Sequence, residues 1–540
     1  MEPFDRDPRT PGEGRPDGST PETAGQTRPL LPPPPAPPGA WGSSRPLPGM
    51  YGDSGPMPTP WNAPVREPVW KRVVVPLLVT ALVGGVISYY WANKPDSPNA
   101  TPTEWDERVL PIADFVAQER DLGWLHPVAV DFLPEADFVA LFSDPGGTTA
   151  APTLDETDRR ANEQLSELYN AKGLAVSYDP GAATTTVQEV TTLGFYSPGT
   201  DHIYVRGNEL TPAVRVVLAH ELTHALQGQH FDLKTARPND LEFRAIVEAD
   251  ALRVENVYRD TLSPDEQQQA DGGNTMSEDA ATELDAVPWA LVEMSYAPYV
   301  LGPSLVDTVF AERGNEGINR LISAPPTEEV LLSPWLFGSE QPRPTIVLVP
   351  PADSESVEDT RLLSPVEMLI MLDAWLPFAE ARAALDGWGN GSYAAYDTAA
   401  GPVCFAAKAA FDDVTAATLF RDTVIRWGEA MGSPLFPSLR GETVEFESCD
   451  RGPTATPTPE PVVPPMLAIS LEHDAVSLAG TDPSDALVEG YRCFAATLID
   501  DPAAAPLLAS NEAFSATQQA TFDTLTDAAA AACGVPPLER

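Results

Sequence analysis

The chain of 540 residues divides by where its apolar residues fall. Residues 1–69 hold few aliphatic side chains and nearly a third of the 59 prolines, centred on Leu31-Pro-Pro-Pro-Pro35. Such a segment cannot bury enough apolar surface to offset its ordering entropy. It predicts a disordered tail that can offer a polyproline ligand to a partner. From Val73 to Trp91 the pattern inverts. No charged residue interrupts the run, Pro76 falls in its first turn, and Tyr89, Tyr90 and Trp91 close it. That length and those aromatic ends predict a single membrane-spanning helix over 70–92. Arg66, Lys71 and Arg72 precede the run and Lys94 alone follows closely, which puts the tail in the cytoplasm and the remainder outside. A polar tether covers 93–104.

Beyond residue 105 the apolar period alternates between helix and strand. Ile112–Arg120 has helical spacing, Pro127–Phe132 alternates like a strand, and a helix is predicted over 157–171. Gly194–Pro198 and His202–Arg206 read as a hairpin. Thr211 then has the character of a helix cap, with Pro212 in the first helical position; that helix is predicted to run to Gly228. A second follows Asn239 or Asp240 and ends near Arg259, and more helices cover 287–323. Residues 365–450 read as an α/β subdomain: helix, strand near 403–410, helix over 412–431, strand over 443–448. Residues 451–465 are rich in proline and threonine and predict an extended linker. Residues 466–540 predict a small helical unit.

Charge narrows the partners. There are 33 basic and 79 acidic side chains, and residues 1–72 hold equal numbers of each, so the whole net charge of -46 lies after them. Such a surface argues against nucleic acid and against anionic lipid surfaces. The four cysteines, Cys404, Cys449, Cys493 and Cys533, all follow the apolar run. An even number on the outer side predicts two disulfides. Of the three pairings, Cys404–Cys449 and Cys493–Cys533 is favoured, because the 451–465 linker separates the two pairs and Cys404 and Cys449 fall on two predicted strands.

The chemistry concentrates at His220-Glu221-Leu222-Thr223-His224, an H-E-x-x-H motif inside the predicted 212–228 helix. Histidines four apart share a helical face, so both imidazoles can reach one Zn2+, and Glu221 stands where it can act on a water beside the metal. A catalytic zinc needs a third protein ligand. Glu248 lies on the next helix, on a face shared with Leu241, Ala245 and Leu252, and a carboxylate aimed with apolar neighbours calls for a cation. His230 is the alternative, since His220, His224 and His230 have metzincin spacing, although the glycine expected at 227 is Gln227 and Gly228 comes one place late.

Tyr204-Val-Arg-Gly207, His220-Glu-Leu-Thr-His-Ala-Leu-Gln-Gly-Gln-His-Phe-Asp-Leu233 and Val247-Glu-Ala-Asp-Ala251 together resemble a group of bacterial zincin-type metallopeptidases. The resemblance continues through Ala297-Pro-Tyr-Val-Leu-Gly302, Pro325-Pro-Thr-Glu-Glu329 and Cys449, covering about 105–450. These enzymes are similar to gluzincins, whose third ligand is a glutamate on the following helix. The resemblance therefore implies His220, His224 and Glu248 as ligands and Glu221 as general base. The family's usual E-G-D-A is Glu248-Ala-Asp-Ala251 here, and Asp250 becomes a candidate to orient a histidine. Tyr296 and Tyr299 are candidate donors to an oxyanion, and His202–Arg206 the candidate edge strand for a peptide substrate. The expectation is an α+β, zincin-like zinc metallopeptidase domain outside a single membrane helix, acting on a peptide or protein. The alternative is an inactive or regulatory zinc-binding ectodomain of the cell envelope.

Overall fold

The computed structural model describes residues 102–538 except 144–155, 232, 234–239, 274–277, 340–343, 349, 352–353, 399–400, 481–483 and 511–513. Among the described residues no helix is long and apolar enough to cross a membrane. The predicted tail, the Val73–Trp91 run and most of the tether lie outside them.

The first part of the fold builds a small sheet and the helices around it. It runs α1 (Leu110–Arg120), β1 (Ala129–Leu133), α2 (Glu135–Ser143), α3 (Glu156–Ala171), α4 (Pro180–Thr191), β2 (Gly194–Ser197) and β3 (His202–Arg206). Next come α5 (Pro212–Phe231), α6 (Leu241–Asp260), α7 (Pro264–Gly273), α8 (Glu278–Asp285) and the long α9 (Trp289–Ser323). β3 pairs in parallel with β1 and antiparallel with β2, giving the order β1-β3-β2. The hairpin is as predicted, but the strand nominated as the open edge is the central one. β1 returns from before the hairpin to cover β3, so the edge strands are β1 and β2, the latter buried along its length.

Local chemistry sets the helix starts. Thr211 Oγ1 accepts from Val214 N at 3.3 Å ahead of Pro212, as read from the sequence. Asp179 caps α4 by accepting from Ala182 N. α5 does not stop at Gly228. Tyr196 of β2 lies over that glycine, where a Cβ would stand 2.8 Å from the phenol oxygen, and the helix continues to Phe231. Gly314, at φ 57, breaks α9 into two limbs.

The second part carries α10 (Glu329–Leu332), β4 (Ser354–Leu362), α11 (Pro365–Asp373), α12 (Phe378–Ala383), β5 (Trp388–Thr398), β6 (Cys404–Phe411), α13 (Val414–Ala430), β7 (Ser438–Arg440) and β8 (Thr443–Cys449). Its strands form an antiparallel sheet of order β4-β5-β6-β8-β7. Cys404 and Cys449 stand directly opposite on β6 and β8 with Cα atoms 4.0 Å apart, and they form a disulfide. α14 (Pro465–Ser477), α15 (Asp485–Ile499), α16 (Ala505–Leu508) and α17 (Ala516–Cys533) follow, and Cys493–Cys533 ties α15 to α17. Both predicted pairings are present.

Residues 451–465 are bonded to the body of the fold. Arg451 Nε donates to Asn170 O and Thr458 Oγ1 to Gly173 O. Glu293 of α9 accepts from Met466 N at 2.8 Å, and Arg382 pairs with Glu472 across a buried contact. Helices α14, α15 and α17 share one hydrophobic core with α9 and the larger sheet. A second core fills the space between α1, the small sheet and α5. α5 is buried on both flanks: Leu218, Leu222 and Leu226 serve that second core, while the other flank faces α6.

Candidate metal centre

On the α6 flank of α5 the sequence motif becomes a cluster. His220 Nε2 and His224 Nε2 stand 3.0 Å apart. Glu248 Oε2, from α6, is 3.0 Å from His224 Nε2 and 3.3 Å from His220 Nε2. The far nitrogens fix the tautomers. His220 Nδ1 is 2.8 Å from Glu255 Oε2, an acceptor, so Nδ1 carries the proton and Nε2 presents its lone pair. His224 Nδ1 is 2.9 Å from Gln227 Oε1. The Gln227 amide is oriented because its Nε2 donates to Val247 O at 3.1 Å and to Asp250 Oδ2 at 2.8 Å. Asp250 is held in turn by Arg120 Nε of α1 at 2.8 Å, both side chains fully buried. Arg120 donates to Asn315 and Asn319 on the second limb of α9.

Three acceptor atoms therefore face one point, and three acceptors that close repel unless a cation lies among them. Ligands at about 2.0–2.1 Å from a tetrahedral ion stand about 3.3 Å apart, so the triangle is close to the size a metal requires. Two imidazoles and one carboxylate, with both imidazoles oriented by an acceptor, make a donor set that fits zinc. The electrostatics agree. Burial works against charge on Glu248, but His224 and His220 beside it hold its pKa far below the usual carboxylate range. Burial likewise opposes protonation of His220, but hydrogen bonds to Glu248 and Glu255 raise its pKa well above normal, a proton on Nε2 standing toward Glu248 where the triangle otherwise calls for a metal cation. With three carboxylates around two imidazoles, the cluster draws positive charge.

Glu221 lies on the same flank, 3% exposed. Its Oε2 accepts from Tyr196 N of edge strand β2 at 2.7 Å. Burial pushes its pKa up, against the pull of both histidines. β2 comes this close because Gly194 has no side chain: a Cβ there would stand 2.9 Å from Val217 Cγ1 of α5.

The other sequence candidates separate cleanly. His230 points away, its Nε2 2.9 Å from Gly123 O, and does not join the triangle. Asp250 sits one link behind His224 rather than against it. Tyr296 neighbours Glu293. Tyr299, 4% exposed, sits at the cluster: burial and the Glu248 carboxylate, toward which its hydroxyl is directed, push its pKa well up. Cys404, Glu447 and Cys449 also lie close together, but the two sulfurs are joined in the disulfide and offer no thiolate.

Sequence reading did not single out Glu255, Gln227 or Tyr196. The first two had a signal in spacing: Glu255 is two turns past Glu248 on the same face, and Gln227 is one turn past His224. Tyr196 acts through its backbone, which no side-chain pattern encodes.

No protein-family model matches this chain, and neither a curated protein nor a solved structure is significantly similar to it.

Proposed function

We propose that the chain is a zinc-dependent peptidase, with His220, His224 and Glu248 holding the ion and Glu221 as general base. The observation that carries this reading is the triangle itself: three mutually facing acceptors within 3.3 Å, both imidazoles committed through Nδ1, and as a fourth group the buried Glu221 carboxylate beside them. A purely structural site has no use for that fourth group. The resemblance to zincin-type, gluzincin-like metallopeptidases at the motif and at Val247–Ala251 supports the same reading.

When bound, zinc lowers the pKa of a water and polarises the scissile carbonyl. Glu221 takes the proton from the attacking water and delivers it to the leaving nitrogen as the C–N bond breaks. A raised pKa suits a base that must also act as an acid. The Tyr299 hydroxyl, buried beside Glu248, is the donor available to the carbonyl oxygen as it gains charge. A peptide adds beside the edge strand β2, where Tyr196 directs its backbone N–H toward Glu221. The uncharged run Val73–Trp91 supports anchoring by one membrane helix with this domain outside.

The test is metal analysis joined to a peptide-cleavage screen. About one zinc per chain and cleavage abolished in Glu221→Gln with zinc retained are expected. A protein that takes up no zinc from a zinc-replete buffer would sink the proposal. The near-complete burial of His220, Glu221 and Glu248, at 1%, 3% and 5% exposure, favours a second reading, a closed zinc site that stabilises an envelope ectodomain. In that case zinc binds and the wild-type chain cleaves nothing.

A further inference from the structure

The triangle accounts for Glu248, Glu255 and Gln227, and leaves one cation beside it without an acid. Arg244 lies on α6 four residues before Glu248, on the same face and one turn nearer the helix start. It is half-buried, and its Nε is shielded from solvent without a hydrogen-bond partner. No ion pair to Arg244 exists among the described residues. This is unusual in a chain with 79 acidic and 33 basic side chains. Its buried counterparts are all matched: Arg120 to Asp250, Arg253 to Glu119, Arg382 to Glu472. Arg440 and Arg451 also lack an ion pair among the described residues, but Arg440 is exposed, and half-buried Arg451 donates through Nε to Asn170, whereas the Arg244 Nε has no such partner.

α9 locates Arg244 relative to the chemistry. At Gly302 that helix lies directly on α6: a Cβ there would overlap the Ala245 carbonyl oxygen and stand 2.8 Å from Ala249 Cβ. One turn earlier Tyr299 reaches the α6 face, where its phenol is subject to both the Glu248 carboxylate and the Arg244 guanidinium. The Tyr299 hydroxyl and the guanidinium without an acid therefore share the neighbourhood of Glu248. A guanidinium presents paired N–H donors matched to a carboxylate.

Resting on the peptidase reading above, we propose that Arg244 is a specificity residue that binds a substrate carboxylate, so that the substrate class is peptides carrying a carboxylate one or two residues from the scissile bond. The spacing follows from the helix. One turn rises about 6 Å, and an extended peptide covers about 3.3–3.6 Å per residue. The carboxylate comes from a C-terminus or from an Asp or Glu side chain. The acidic exterior repels polyanions, so a single carboxylate on an otherwise uncharged peptide is the best match.

Binding tests this without turnover. The zinc-loaded full chain carrying Glu221→Gln is titrated with N-acetylated tetra-alanine ending in a free carboxylate, the same peptide amidated, and two amidated peptides with Glu or Gln at the third position. The expected result is that the free acid, the Glu peptide, or both bind about tenfold to a hundredfold tighter than the neutral counterparts. Adding Arg244→Gln removes that preference with zinc content unchanged, and Arg244→Lys restores part of it. Which acid peptide wins identifies the source of the carboxylate. Equal binding of acid and neutral peptides, no binding of any of them, or a preference that survives Arg244→Gln overturns the proposal. A chain that shows the preference and cleaves nothing with Glu221 present keeps the subsite and sinks the peptidase reading instead.

Discussion

Gly302→Ala is the sharpest probe of how this site is assembled. The added Cβ would overlap the Ala245 carbonyl oxygen and come to 2.8 Å from both the Ala245 carbonyl carbon and Ala249 Cβ. Carbon atoms in good contact sit about 3.5–4.0 Å apart. The atoms it would meet are backbone and a methyl, neither of which can swing aside, so α9 must retreat from α6. Two effects compete. Alanine in a helix interior gains about 0.8–1.0 kcal/mol over glycine in propensity. Overpacking of a close-packed core costs about 1–3 kcal/mol. Because the overlap is with backbone, the overpacking cost falls at the upper end of its range, and the expected net destabilisation is about 2 kcal/mol. The retreat also carries Tyr299 away from Glu248, so cleavage falls further than stability does while zinc binding, built from α5 and α6, changes little. Urea unfolding, zinc titration and cleavage rates on one preparation measure all three. A variant as stable as wild type, or more so, would falsify the close approach, because only the propensity gain would remain.

Metal affinity has a predicted order. Glu248→Ala loses most of it, Glu255→Ala loses about 10–100-fold because His220 is no longer oriented, and His230→Ala loses little; competition with a chromogenic chelator ranks them, and a large loss at His230 would move the third ligand. Stability also depends on pH through His473. Burial and the Arg382 charge depress its pKa to about 4 despite a hydrogen bond with Leu332 O, below the unfolded value of about 6.5. The unfolded state therefore takes up a proton that the folded state refuses, and stability is lost as pH falls from about 6.5 to 4, by up to about 3 kcal/mol. Glu293, raised to about 7 by burial, works in the opposite sense over an overlapping range, so the share of His473 is read as the difference between wild type and His473→Gln in urea melts at pH 7.5 and 5; parallel curves would refute it. Thiol labelling of the unfolded, unreduced chain should find no free cysteine, and protease added to intact cells should digest residues beyond 95 while sparing the tail; four labelled thiols or a protected C-terminus would reverse the orientation.

Much of the centre was legible because helices announce themselves locally. Thr211, Pro212 and the i, i+4 histidines fix α5 from one stretch of chain, and Glu248 is conspicuous as an acid on an apolar face. Strands depend on partners and were read less well. β5 contains Gly389, Gly391 and two alanines, a pattern that weakens a strand by itself, yet it is an interior strand because β4 and β6 flank it. β4, Ser-Glu-Ser-Val-Glu-Asp-Thr-Arg-Leu, is charged as an edge strand is, and its polarity leaves no apolar alternation to mark it as a strand. Sheet order misled more than element type did: β3 has the composition of an edge-capable strand, and only the return of β1 makes it central. Gly228 shows the same limit, since the helix passes it because a tyrosine from another element covers the gap.

The two disulfides have a consequence for the covalent integrity of the chain. Each closes a loop on its own side of residues 451–465, and neither crosses that segment. A single backbone cut between Asp450 and Met466 would leave two polypeptides with no covalent link. They would remain together through the shared core, the Glu293 cap on Met466 and the Arg382–Glu472 pair. The nicked molecule would behave as a heterodimer, stable when concentrated and dissociating on dilution, and its C-terminal half would become exchangeable between copies.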